Sequence, residues 1–175
     1  RRSTRSWPHR READSFRASP HHNGNTYGLY ADDRGQVNYI VGQLMDAFVA
    51  SGTPDALAVL GPSPQVVGRK YKDIVQDMIE YNAWSQMDLN TGTRGSWYYT
   101  ASNNTSTGHA DNSIAQWPAI GGIAAERVWG LTTPAFLKSE NLGYLPFAEN
   151  TSAGTTGSPA VSVTGSFGYG NSGGN

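Results

Sequence analysis

Gly95-Ser96-Trp97-Tyr98-Tyr99, a polar loop to Asp111, then Asn112-Ser113-Ile114-Ala115-Gln116-Trp117 and an apolar run ending at Trp129-Gly130 read as an aromatic loop feeding a buried helix. Asp111 suits the N-cap, because its carboxylate can accept from the first free backbone N–H groups and its charge matches the positive end of the helix dipole. Ile114, Trp117, Ile120, Ile123, Ala124 and Val128 recur at steps of three and four, the period of a helix face. Gly130 fits the left-handed position that ends a helix. Pro118 removes an intrahelical hydrogen bond, so it should bend the helix or mark a late start near Trp117.

Working outward, Ile40, Val41, Leu44, Met45, Phe48 and Val49 predict a first helix over 36–51, ended by Gly52. Thr53-Pro54 is a cap-and-first-turn signal for a short helix over 54–60, before Gly61, Pro62 and Pro64 break the chain. Tyr71, Ile74, Val75, Met78, Ile79, Asn82 and Ala83 predict a second long helix over 69–87. Thr132-Thr133-Pro134 opens another through Phe136, Leu137, Leu142 and Leu145, limited by Pro146. Residues 23–35, rich in Gly, Asn and Asp around Tyr27 and Tyr30, read as a loop.

Two helices thus end in glycine and pass within a few residues to Thr-Pro, which predicts antiparallel αα-hairpins. Gly165-Ser166-Phe167-Gly168-Tyr169 echoes the Gly95 motif 70 residues later (95 to 165) and stops at Asn175, where the first copy proceeds to a helix. The expectation is that further helices lie in missing sequence or on another chain. The fold class expected is all-α, with long Gly/Asn/Ser-rich loops. Residues 1–22 form a basic arm, 23–170 the helical domain, and 171–175 a Gly/Asn/Ser tail.

The chain has 175 residues, 37% hydrophobic and 11% aromatic, with no run long enough to span a bilayer, a composition typical of soluble globular proteins. Six of its 13 basic residues are Arg1, Arg2, Arg5, Arg10, Arg11 and Arg17; without residues 1–17 the remainder carries 7 basic and 12 acidic residues, a net charge of −5. Such an arm can pair with phosphates, but the absence of apolar periodicity favours a solvated arm, and no nucleic-acid partner is expected. The chain has no cysteine, which excludes disulfides, thiol nucleophiles and Cys-ligated zinc. Arg1 in place of Met, with no apolar segment following, suggests a processed product or a fragment.

Gly95-Ser96-Trp97, Asp111-Asn112-Ser113, Gln116-Trp117 and Ala124-Ala125-Glu126-Arg127 resemble the α/α-toroid repeats of the squalene-cyclase and prenyltransferase superfamily. They look most like the repeats in uncharacterised bacterial exported or surface proteins, over residues 24–170 and best over 68–149. The resemblance implies helix pairs arranged as part of a double-layered ring, with inner helices parallel around a cavity. It does not carry the chemistry across. The cyclases use an Asp-x-Asp-Asp acid, whereas Asp32-Asp33 lacks the third carboxylate; prenyltransferases bind zinc through Asp, Cys and His, and cysteine is absent.

Candidate sites follow from residue type. Trp97, Tyr98, Tyr99 and Trp117 can stack on sugar rings, line an apolar cavity, or wedge between adjacent helix pairs, the last being preferred. His109, Asp111 and Gln116 flank the helix start; His109 and Asp111 could make an acid/base pair, but a cap beside a solvated histidine is the simpler reading. His9, His21 and His22 lack partners at metal-ligand spacing, and neither a catalytic residue, a metal nor a cofactor is expected. Asn103, Asn104 and Asn150 begin Asn-x-Ser/Thr triplets open to glycosylation. The function expected is a non-catalytic structural or interaction module of an exported or cell-surface protein, self-assembling or completed by the rest of its own chain. The alternatives are a fragment of a terpene-cyclase-like enzyme and a carbohydrate-binding domain that uses the aromatic loop.

Overall fold

The computed structural model describes residues 2–6, 27–31, 35–60, 66–87, 93–100, 110–150 and 166–167. Four helices dominate them: α1 (Val37–Ala50), α2 (Tyr71–Ser85), α3 (Asn112–Trp129) and α4 (Ala135–Ala148). Two short antiparallel ribbons accompany the helices. Strand β1 (Arg2–Ser6) pairs with β2 (Tyr27–Ala31), Arg2 opposite Ala31, and β3 (Glu149–Asn150) pairs with β4 (Ser166–Phe167). No helix among the described residues is long and apolar enough to cross a membrane.

The ribbons correct the reading of 23–35 as a loop, and β1 falls inside the segment read as an arm. Tyr27, Leu29 and Ala31 alternate with Gly28 and Tyr30 in a strand's two-residue period. Leu29 is buried in the same core as α1 and α2, and the Tyr30 ring lies 4.8 Å from that of Tyr81. The short helix expected over 54–60 is also absent. Leu57 instead bridges to Lys70, with the Ala58 N–H donating to the Arg69 carbonyl at 2.9 Å and the Tyr71 N–H to that of Ala56 at 2.9 Å. Backbone groups that a helix would pair internally are used to seat the start of α2.

The largest helix contact joins α1 to α3, which are not consecutive. Both N-terminal ends meet the aromatic loop. Asn38 donates from its backbone to the Tyr99 carbonyl at 3.0 Å, and Asp111 N contacts the Trp97 carbonyl at 3.5 Å. Gly42 meets the Trp117–Pro118 backbone and Met45, three residues on, meets Gly121, so the two helices run in the same sense. Helix α2 lies beside them, and its buried Gln76 donates to the Thr132 carbonyl at 2.9 Å while accepting from Thr132 N at 3.0 Å. That pair ties α2 to the short link between α3 and α4.

Helix α3 starts at Asn112 and runs through Pro118. A late start at Trp117 is therefore corrected: the Asp111 cap holds the first turn, and a buried Pro118 loses only one helical bond. The Trp117–Pro118 backbone is where Gly42 of α1 approaches most closely. Gly130 ends the helix at φ 67°, as expected. Pro146 does not limit α4, which continues to Ala148.

Candidate functional site

Asp111 does what its sequence position suggested. Its Oδ1 accepts from the Ser113 backbone at 2.8 Å and from Ser113 Oγ at 2.6 Å, and the side chain is almost fully buried. Two charge-assisted bonds occupy this carboxylate in capping.

Trp97 is completely buried, and its indole N–H donates to the Asn82 carbonyl of α2 at 2.9 Å. It packs with Met87, Ile114, Leu137 and Tyr144, so one side chain joins α2, α3 and α4. Tyr98 and Tyr99 are half-buried, their rings edge to face at 4.7 Å, and Asn38 Nδ2 donates to the Tyr98 carbonyl at 2.7 Å. Trp117 sits apart from this pair, with its ring 5.7 Å from that of Tyr39. The four aromatic residues do not make one flat platform. Gln116 is exposed and bonds its own helix at the Ser113 carbonyl. His109, Asn103 and Asn104, like His9, His21 and His22, lie outside the described residues; Asn150 is placed only as a backbone position in β3. No group of three potential metal ligands occurs among the described residues.

Several contacts that build this region were not foreseen from the sequence. Gly95 has φ 85°, and a Cβ there would collide with the Glu140 carbonyl of α4. Its own carbonyl accepts from Gln86 Nε2 at 2.9 Å and from Asn141 Nδ2 at 3.1 Å. Arg94 pairs with Glu140 at 2.6 Å alongside. The loop is thus clamped onto α4 by backbone contact, amides and an ion pair. Tyr144, also buried, donates its hydroxyl to Asn112 Oδ1 at 2.7 Å. Burial pushes its pKa up; a bond to Ser96 opposes this and the charge of Asp111 adds to it. The signal available in the sequence was the placement of Gln86 and Asn38 on otherwise apolar helix faces or ends, where a polar side chain needs a partner.

Between α3 and α4 lies an open groove of about 340 Å³. Pro118, Ala119, Gly122 and Ile123 form one wall, Leu137 and Leu142 the other, with Trp97 at the floor. Ile123 and Leu142 are 48% and 65% exposed, large values for apolar side chains. At the rim Lys138 bonds Glu126 at 2.9 Å and holds its carboxyl below the usual range. Arg127 also lines the groove and is in no ion pair among the described residues.

No protein-family model, curated protein sequence or solved structure matches this chain.

Proposed function

We propose that the chain is a non-catalytic helical interaction module of an exported or cell-surface protein, and that it works by associating with copies of itself. The observation that carries this reading is the open groove between α3 and α4, where the apolar Ile123 and Leu142 are 48% and 65% exposed, with Ile120 and Leu145 also exposed on the same two helices. Contiguous exposed apolar surface marks interaction sites. Trp97 and Asp111, the side chains with most chemical promise in the sequence, are engaged in packing and capping. The parallel α1–α3 pair is compatible with one layer of an α/α toroid, and the resemblance to that superfamily rests on the residues quoted for it. Assembly of such units would leave helix faces to be covered by further units. Sedimentation equilibrium over a hundredfold concentration range tests the reading. A weight-average mass that climbs above the 18.8 kDa chain supports it; a constant 18.8 kDa contradicts it.

A further inference from the structure

Most of the buried face of α1 recurs in α3. Advancing α1 by 77 residues (37 to 114) places the buried Val37, Asn38, Val41 and Met45 on the buried Ile114, Ala115, Pro118 and Gly122, while the buried Gly42 and Val49 fall on the half-buried Ala119 and Glu126. In the first unit, Gly42 and Met45 receive a helix: Gly42 meets the Trp117–Pro118 backbone, and Met45 meets Gly121. Their counterparts in the second unit are Ala119 and Gly122. Both line the open α3–α4 groove, and a Cβ added to Gly122 would meet nothing within 4 Å. The second unit therefore repeats part of the seat in which the first unit holds α3, and here the seat opens into the groove shared with α4.

The seated face of α3 is small, with Gly121 and Ala124 at its contact with α1. Helix α1 carries a second small face, because Ala47 and Ala50 are exposed beside Asp46. Asp46 is in no ion pair among the described residues, and its charge is opposite to that of Arg127 at the groove, which is likewise in no ion pair among them and lies beside Glu126. We infer that the α3–α4 groove of one chain receives the exposed face of α1 formed by Asp46, Ala47 and Ala50 of a second copy, with Asp46 against Arg127. This rests on the self-association proposed above and names its surface. The contact is heterologous, so each bound copy offers another groove, and assembly can continue beyond a dimer.

Charge reversal tests the pairing on exposed positions that the fold does not need. Asp46→Arg and Arg127→Asp should each weaken self-association at least tenfold in sedimentation, and the double variant should recover most of the loss. Gly122→Leu should fill the groove and lower the mass to that of the monomer while leaving the helical circular dichroism intact. Association that ignores all four variants overturns this surface but keeps the self-association. A wild-type chain that stays monomeric overturns both. A monomer that binds 1-anilinonaphthalene-8-sulfonate at one site, lost in Gly122→Leu, would assign the groove to a small molecule and overturn the pairing.

Discussion

Gly42 of α1 and Gly121 of α3 lie so close that a Cβ on Gly121 would come within 2.6 Å of the Gly42 carbonyl oxygen. The Met45 Cβ would stand 2.9 Å from that added Gly121 Cβ. Neither backbone can yield without parting the helices, so this crossing fixes the α1–α3 distance on which the rest of the packing depends.

Alanine at either glycine gains about 1 kcal/mol in helix propensity and loses more through overpacking, typically 1–3 kcal/mol. Gly42→Ala and Gly121→Ala are therefore expected to lower the urea midpoint despite being better helix formers. Gly122→Ala has only the propensity gain and should raise it. If all three substitutions stabilise, the close crossing is wrong.

Trp97→Phe keeps most of the apolar volume but leaves the Asn82 carbonyl without its indole donor. The expected cost is about 1–3 kcal/mol, against about 3–5 kcal/mol for Trp97→Ala. Thermal unfolding should show both losses. A Trp97→Ala protein of unchanged stability that fails to retain a glycan would instead favour the carbohydrate-binding alternative.

Tyr144 makes stability sensitive to alkali. Its folded pKa is raised above the unfolded value of about 10. For a group shifted this way, the contribution is fully present below the unfolded pKa and is lost as pH rises through the folded one. Tyr144→Phe, lacking the bond to Asn112, is expected to be about 1 kcal/mol less stable at pH 7. The difference from wild type should shrink above pH ~10. Urea titrations at pH 7, 9 and 11 measure it, and a gap that stays constant with pH would rule out the buried hydroxyl as its source.

Helix positions were legible because they follow from local chemistry: the three-and-four spacing of apolar residues, Asp111 as a cap, Gly130 as a stop. Strand β2 was not, since five residues with two tyrosines and a glycine among turn formers give no more than a weak alternation, and its paired residues lie 21 to 29 positions upstream, from Ser6↔Tyr27 to Arg2↔Ala31. The 54–60 segment misled for a related reason. Thr53-Pro54 carries a real start signal, but backbone bonds to Arg69 and Tyr71 outweigh a single turn of helix. The side-by-side pairing of α1 with α3 depends on Gly42 and Gly121, which in sequence look like interruptions of two helices. Their purpose becomes visible only when the two backbones are set together.

The absence of cysteine permits a direct test of the association surface. Asp46→Cys and Arg127→Cys chains, prepared separately and mixed under mild oxidation, should form a disulfide-linked heterodimer well above the yield of either homodimer. Gly122→Leu in the Arg127→Cys chain should abolish it. A mixture that yields only the random proportions of homodimer and heterodimer, or no cross-link while the wild-type mass still rises with concentration, would contradict the seating of α1 in the α3–α4 groove.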